Sequence, residues 1–306
     1  MSWRWALGAA VLLLSGCATM APSPPVSAAP ADSVAPGPLA SPAADAVAAE
    51  RIKRFQWLYG SAEGAASALQ TYRAMVAYVR DAVAHSPRDS VVLAGDPGRG
   101  PARFLPCRTK PLAAIFDVDE TVTLNLGYEA IVIQDRDRPG LMVRYQASGS
   151  DKAAPVPGSL DAVRALRAMG VKVIYSTNRA PETAAGTATT LEALGLGPAV
   201  RGDTLFMHGD MAGDPEKDGR RAALGERYCV IAMAGDQMGD FADLFNARAL
   251  SVPDRRALAS QGWAAGLWGD GWFLISNPVY GPSVRGTLDQ LIPPDKRWTD
   301  PQESTR

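Results

Sequence analysis

The residues best suited to chemistry are two aspartates, Asp117 and Asp119, that directly follow a short apolar run. The run, Leu112 to Phe116, has the length and composition of a buried β-strand. Side chains alternate along a strand, so carboxylates two residues apart share one side if the extended backbone continues. Two close carboxylates repel each other unless a cation lies between them or one stays protonated. The pair therefore predicts a metal site or acid–base chemistry.

Further polar residues follow other apolar runs in the same way. Thr177 comes after the second predicted strand, Asp236 and Asp240 follow the fourth, and Lys217 begins a helix between the third and the fourth. Ligands of open α/β sheets bind at the carboxyl ends of the strands, where these residues meet. Such an oxygen-rich set beside one lysine suits Mg²⁺ and an anionic substrate such as a phosphate. Each motif alone is common in turns and caps, so the inference depends on their joint order.

The elements that must position these residues alternate between strands and helices. This order predicts an α/β fold with a doubly wound parallel sheet, preceded by one or two N-terminal helices in residues 49–84. Residues 86–110 are rich in proline, glycine and arginine and predict a loop, and residues 122–157 predict an insertion beside the site. Strands are predicted at 112–116, 171–175, 204–207, 228–234, 249–252 and 272–275, and helices at 159–169, 181–194, 216–226 and 238–246.

Composition limits the classes of function. The 31 basic residues are balanced by 32 acidic ones, which leaves no cationic surplus for binding a nucleic-acid polymer. The chain has two histidines, His85 and His208, which argues against a multi-histidine zinc site and most Ser-His or Cys-His triads. We expect His208 to be structural. The composition does not indicate an oligomeric state.

The N-terminus has the features of an export signal. Arg4 precedes an apolar stretch too short to span a bilayer, and the tetrapeptide Leu-Ser-Gly-Cys that ends at Cys17 resembles a bacterial lipobox. We expect residues 1–16 to be a signal peptide, Cys17 to carry a lipid, and residues 17–48 to form an extended tether rich in alanine and proline. The lipid would anchor the protein in the bacterial cell envelope, at an outer membrane, and residues 49–306 would form the folded domain.

Two further cysteines raise the question of a disulfide. An exported protein reaches an oxidising compartment, which permits a disulfide between Cys107 and Cys229. However, the two residues precede Asp117 and Asp236 by ten and seven positions, and this offset favours two buried thiols over bridging geometry.

The motifs occur in the order Asp117-x-Asp119-x-Thr121, Thr177 after a strand, Lys217, and Gly235-Asp236-x-x-x-Asp240. This set resembles the four motifs of the haloacid dehalogenase superfamily of phosphohydrolases. The Asp-Glu-Thr ending of the first motif, the triplet Thr177-Asn178-Arg179 and the late Asn277-Pro278-x-Tyr280-Gly281 narrow the resemblance. They are similar to those of class B-type bacterial lipoprotein acid phosphatases and 5'-nucleotidases, over most of residues 50–290.

The resemblance implies the roles of the catalytic residues. Asp117 would be the nucleophile that forms an aspartyl-phosphate, and Asp119 would be the general acid and base. Thr177 would bind a phosphoryl oxygen, and Lys217 would offset negative charge on the nucleophile and the phosphoryl group. Arg179 would either contact phosphate or form an ion pair, the two being equally favoured.

The resemblance also implies the metal ligands. Mg²⁺ would be held by the Asp117 carboxylate, the Asp119 backbone carbonyl and Asp236. Thr121 and Asp240 would support this shell. Gly239 departs from the lipoprotein branch, which often carries a further acid at that position.

The resemblance is weakest in the cap insertion, where residues 130–157 do not match the family pattern well. This segment would form part of the substrate pocket. Family positions that line the pocket correspond to Asn125, Tyr128 and Glu129, and the rings of Trp57, Tyr145 and Tyr280 could stack on a nucleobase, although packing is favoured for Trp57. The implied function is magnesium-dependent hydrolysis of small phosphate monoesters, among them nucleoside monophosphates. The alternatives are a phosphotransferase, a phosphatase for non-nucleotide esters, and a lipoprotein that keeps the fold only for binding.

Overall fold

The structure is a computed structural model that describes residues 52–98, 100–134, 138–211, 217–282 and 284–300. The predicted signal peptide, the tether and Cys17 lie outside these residues. Among the helices of the described part, none combines the length and apolar character needed to cross a membrane.

Nine strands and eight α-helices make up the described fold. The strands are β1 (Asp89–Leu93), β2 (Phe104–Pro106), β3 (Leu112–Phe116), β4 (Thr123–Leu124), β5 (Ala154–Pro155), β6 (Lys172–Ser176), β7 (Leu205–Phe206), β8 (Cys229–Gly235) and β9 (Trp272–Leu274). The helices are α1 (Ala62–His85), α2 (Leu126–Ile133), α3 (Leu141–Ser148), α4 (Ser159–Ala168), α5 (Ala184–Ala193), α6 (Lys217–Arg227), α7 (Val252–Gln261) and α8 (Leu288–Leu291). Short 3-10 helices and one π-helical turn, Gln56–Gly60, lie between them.

The main sheet confirms the predicted α/β class. It has five strands in the order β7-β6-β3-β8-β9, and all neighbours are parallel. Phe116, the last residue of the central strand, pairs with Tyr175 on one side and with Ala234 on the other. This register brings the chain segments that follow β3, β6 and β8 to one edge of the sheet.

Both faces of the sheet are covered, which explains why its central strands are apolar throughout. Ala114 and Phe116 of β3 belong to the cluster that includes α1 and α4, whereas Ala113 and Ile115 belong to a second cluster on the opposite face. That second cluster contains aromatic side chains, and Trp272 lies fully buried within it.

Three predicted elements were wrong. Residues 86–110 contain the antiparallel pair β1–β2, which was not expected because these strands are short and set among proline and glycine. Residues 238–246 form two 3-10 helices, Met238–Asp240 and Asp243–Asn246, and the side chains of Gln237 and Asp240 cap the first of them. Residues 249–252 do not form a strand, because Ser251 caps α7, which begins at Val252.

The predicted insertion at 122–157 contains the short helices α2 and α3. It is closed at its base by the pair β4–β5, in which Thr123 lies opposite Pro155 and Leu124 opposite Ala154. The segment therefore leaves the core directly after the first motif and returns next to the point where it left.

The expected pair of free thiols was also wrong, because Cys107 and Cys229 form a disulfide with their Cα atoms 4.5 Å apart. The offset argument assumed an extended chain from Cys107 into β3. The chain turns instead, with the Lys110 amide donating to the Cys107 carbonyl at 3.1 Å. Because Leu112 pairs with Cys229, this turn brings Cys107 beside the first residue of β8.

We expect this disulfide to contribute about 2–4 kcal/mol to the free energy of unfolding, since it closes a long loop in the unfolded chain. Urea unfolding of the oxidised protein and of the Cys107→Ser variant measures the difference. The same unfolding midpoint for both proteins would contradict the expectation.

Candidate active site

The loop that follows β3 turns sharply and brings its threonine back beneath its first aspartate. The amides of Val122 and Thr123 both donate to the Val118 carbonyl, at 3.1 and 3.0 Å. Thr121 Oγ1 then lies 3.3 Å from Asp117 Oδ2 and 3.4 Å from Asp236 Oδ1. The threonine hydroxyl thus connects the carboxylates that follow two adjacent strands.

Three carboxylates meet at this edge of the sheet. Asp117, Asp236 and Asp240 each offer an oxygen, and these oxygens all lie within 4.8 Å of one another. Asn277 Nδ2 orients Asp236 by donating to its Oδ2 at 2.6 Å, and the amide of Gln237 donates to Asp240 Oδ2 at 2.8 Å. A compact set of carboxylate oxygens is the donor chemistry that Mg²⁺ prefers, so these residues fit that ion.

The pKa values of these carboxylates also indicate that the site fits a divalent cation. Burial raises the pKa of Asp117 to about 7, although the Lys217 ammonium opposes the shift, and burial raises the pKa of Asp236 well above its usual range. The neighbouring carboxylates add repulsion in both cases. A divalent cation between these groups would stabilise their ionised forms.

Lys217 lies within this acidic cluster and is itself buried. Its Nζ donates to Asp117 Oδ1 and, at 2.6 Å, to Asp240 Oδ1. Burial alone would lower the pKa of Lys217, but the two carboxylates raise it, so the ammonium stays charged. One oxygen of the predicted nucleophile is therefore held by a fixed cation.

The helix that carries Lys217 is fastened to the segment that carries Asp240. Asp243 accepts hydrogen bonds from the backbone amides of Lys217 and Asp218, at 3.2 and 2.7 Å, and from Arg221 Nη2 at 3.1 Å. Arg221 Nη1 also donates to the Gly239 carbonyl at 2.9 Å. Asp243 thus caps the start of α6, where a negative charge is favoured by the helix dipole.

A second arginine of α6, which the sequence analysis did not single out, holds the ends of two strands. Arg220 is fully buried and its Nη1 donates to the carbonyls of Thr177 and Met207, at 3.0 and 2.7 Å. Its Nη2 donates to Asn178 Oδ1 at 2.6 Å. The available signal was the spacing of Lys217, Arg220 and Arg221, which places three cations on one side of a helix.

Asp119 is held on the other side of the site by Arg179. The guanidinium donates to Asp119 Oδ1 through Nε at 3.1 Å and Nη2 at 2.8 Å, and Asn125 Nδ2 donates to the same oxygen at 2.8 Å. Burial would raise the pKa of Asp119, but Arg179 and Asn125 lower it further than burial raises it. Of the two predicted roles for Arg179, the structure contains the ion pair.

The remaining motif residue, Thr177, is completely buried, and its Oγ1 accepts a hydrogen bond from the backbone amide of Arg179 at 3.1 Å.

The Asp119 carboxylate does not belong to the cluster of three carboxylates found among the described residues. The metal contact predicted for Asp119 is through its backbone carbonyl.

A cavity of about 550 Å³ opens over these groups. Its lining includes Asp117, Asp119, Arg179, Lys217, Asp236 and Asp240, with Met142 and Gln146 of the insertion, Asn178, His208, Gln237, Gly239, Asp243, Asn246, Tyr280, Gly281 and Pro282. His208, expected to be structural, is thus a lining residue.

The predicted pocket residues are distributed unevenly. Tyr280 lines the cavity, Asn125 lies buried behind Asp119, and neither Tyr128 nor Glu129 is among the described lining residues. The ring of Tyr128 packs instead against that of Tyr145, with centroids 6.0 Å apart. Trp57 lines a separate cavity, which adjoins Asp236.

Position 239 has no room for a side chain in this structure. A Cβ added at this position would clash with the side chain of Asn246, which also lines the cavity. The side-chain amide of Asn246 therefore occupies the space that an acidic side chain at position 239 would need.

Comparison with known protein families gives a match over most of the chain. A family model described as HAD superfamily, subfamily IIIB (Acid phosphatase) matches residues 43–283. The fold is thus that of a haloacid dehalogenase-type protein, the superfamily that the order of the motifs resembles. The chain belongs to the subfamily IIIB acid phosphatases and is a phosphoric monoester hydrolase. No curated protein sequence matches the chain.

Among solved structures, the class C acid phosphatase from Bacillus anthracis has a similar fold, with a TM-score of 0.62 and 21% sequence identity. The match covers 78% of this chain and 87% of the other. The crystal structure of the class C acid phosphatase from Bacillus anthracis with tungstate bound gives a TM-score of 0.62 at 20% identity, with the same coverage.

The cap on α6 leads to a prediction. We expect Asp243→Ala to lower the free energy of unfolding by about 1 kcal/mol, the usual value of a helix cap. It should also lower turnover of a phosphate ester, because Lys217 begins the uncapped helix. Urea unfolding and hydrolysis of 4-nitrophenyl phosphate measure the two effects.

Ser251→Ala is the matched control, since Ser251 caps α7 by accepting from the Asp254 amide at 3.1 Å. It should lower stability by a similar amount without changing turnover. Equal turnover in the two variants would show that the Asp243 cap does not position Lys217.

Proposed function

We propose that the protein is a magnesium-dependent acid phosphatase that hydrolyses small phosphate monoesters through an aspartyl-phosphate on Asp117. The observation that carries this proposal is the arrangement of the two motif aspartates across one cavity. Asp117 lies against Lys217 in the carboxylate cluster, whereas Asp119 lies against Arg179. A phosphoryl group in this cavity has a nucleophile on one side and a proton carrier on the other.

In the first step, an Asp117 carboxylate oxygen attacks phosphorus and the bond to the ester oxygen breaks. The leaving alkoxide takes a proton from Asp119. In the second step, water attacks the phosphorus of the aspartyl-phosphate and gives a proton to Asp119. The bond between phosphorus and Asp117 breaks, so inorganic phosphate is released and the Asp117 carboxylate is regenerated. Lys217 and Arg179 offset the negative charge of the transferring group.

Asp119 must be protonated for the first step, although Arg179 lowers its pKa in the free site. A bound phosphoryl dianion places negative charge near Asp119 and competes for the donors of Arg179. Both effects raise the pKa of Asp119 when substrate is present. Substrate binding thus shifts Asp119 toward its acid form.

Asp117, Asp236 and the Asp119 carbonyl would hold Mg²⁺, and Asp240 supports them through its bond to Lys217. When bound, the ion neutralises phosphate charge and orients the reacting groups.

We propose nucleoside monophosphates as substrates. The cavity volume suits a small organic ligand, and beyond the charged groups its wall carries neutral amides of Gln146, Asn178 and Asn246. Tyr280 is 37% exposed and offers an aromatic side chain on which a base can stack. A non-nucleotide ester remains the alternative.

We expect the protein to hydrolyse 4-nitrophenyl phosphate with Mg²⁺ and to lose this activity with a chelator. Asp117→Asn should lower turnover by at least about 10³-fold, since the amide is a poor nucleophile. Metal-independent turnover, or an active Asp117→Asn variant, would overturn the mechanism. A panel of nucleoside and sugar phosphates ranks substrates by kcat/KM, and no preference for nucleotides would overturn that assignment alone.

We further propose that Cys17 is lipidated and holds the protein at the bacterial outer membrane, on the basis of the lipobox resemblance. Cells that express the full chain should incorporate labelled palmitate into the protein, and Cys17→Ser should abolish the labelling. Equal labelling of the two proteins would contradict the anchor.

A further inference from the structure

Tyrosine hydroxyls from distant parts of the chain converge on the loop between β3 and β4. Tyr59, in the π-helical turn before α1, donates to Glu120 Oε1 at 3.1 Å. Tyr72 of α1 donates to the Thr121 carbonyl at 2.5 Å, and Tyr280 donates to Glu120 Oε2 at 2.5 Å. Two of these donors belong to the helical segment that precedes the sheet in the chain.

The phenols act on a backbone conformation that needs support. Glu120 is buried and has a φ of 51°, in the left-handed region that non-glycine residues seldom adopt. Such a conformation persists where its surroundings hold it in place. Burial raises the pKa of Tyr59 and of Tyr72 well above the usual range, so both hydroxyls remain donors.

Glu120 connects these donors to Asp119 through one asparagine. Glu120 Oε1 accepts a hydrogen bond from the backbone N–H of Asn125 at 2.9 Å. Glu120 Oε2 accepts one from the side-chain Nδ2 of Asn125 at 3.2 Å. The same Nδ2 donates to Asp119 Oδ1 at 2.8 Å. The orientation of the Asp119 carboxylate therefore depends on Glu120, and that of Glu120 on Tyr59.

We propose that Tyr59 and Tyr72 are positioning residues that hold the Asp119 carboxylate in place for proton transfer. The helical segment before the sheet is then part of the catalytic apparatus, although none of its residues is among the described lining of the cavity. This inference rests on the proposed function, since it assigns a supporting role for the acid–base step.

Esters with different leaving groups distinguish this role from general stabilisation. An alkyl alkoxide needs a proton as it departs, whereas 4-nitrophenolate departs readily without one. A displaced Asp119 therefore slows alkyl phosphates more than 4-nitrophenyl phosphate. We expect Tyr59→Phe to lower kcat/KM for glycerol phosphate about fivefold more than kcat/KM for 4-nitrophenyl phosphate, the effect of about one hydrogen bond. The ratio kcat/KM is used because it reports the step in which the leaving group departs, whereas hydrolysis of the aspartyl-phosphate is common to both esters. Tyr72→Phe should change the ratio in the same direction.

Tyr78→Phe is the matched control, because Tyr78 lies on α1, is partly buried and packs against Phe273 with ring centroids 5.7 Å apart. We expect it to leave the ratio of the two kcat/KM values unchanged. Thermal unfolding identifies the variants that remain folded, and either folded Tyr59 or Tyr72 variant decides the question.

An unchanged ratio in a folded variant, or the same change in Tyr78→Phe, would overturn the positioning role while leaving phosphatase activity intact. A wild-type protein that hydrolyses neither ester would overturn the proposed function itself, and the inference with it.

Discussion

The site depends on the placement of one buried ammonium among buried carboxylates. Lys217 contacts Asp117 and Asp240, and Asp236 lies within the same cluster. Burying a charge is costly unless it is paired and hydrogen-bonded, so these side chains have few alternative arrangements. The acids outnumber the lysine, and this excess of negative charge gives the site its capacity for a divalent cation. The same lysine directs one cationic group at Asp117.

The position of Lys217 is in turn fixed by the rest of α6. Asp243 caps the helix, Arg221 connects it to the Gly239 carbonyl, and Arg220 reaches the ends of β6 and β7. A single helix thus sets the relative positions of segments that follow four different strands. Its polar bonds are internal and largely shielded from water, where hydrogen bonds are strong and an unmatched group is costly. A rigid helix is suited to this task because small displacements of a catalytic group reduce rates strongly.

Local signals were enough to predict the central strands and the motif residues. Apolar runs such as the one before Asp117 are continuous and end at polar residues, and a parallel sheet brings their ends together. The sequence was less informative where tertiary contacts decide the outcome. Strands β1 and β2 have no strong pattern of their own, and the disulfide depends on a turn after Cys107 that spacing does not reveal. The roles of Arg220 and Tyr59 depend on partners far away in the chain, which a local pattern cannot identify.

The closure of the insertion by β4 and β5 has a consequence for how this protein can diversify. Because the chain leaves at Leu124 and returns at Ala154, which are paired, the segment between them is a module with adjacent ends. Such a module can be lengthened, shortened or exchanged during evolution without altering the strand register of the core. Asn125 limits which residues of the module can change. It directly follows Leu124, and its side chain donates a hydrogen bond to Asp119. An exchange of the segment that preserves this asparagine would alter the part of the cavity wall formed by Met142 and Gln146 and keep the bond to Asp119.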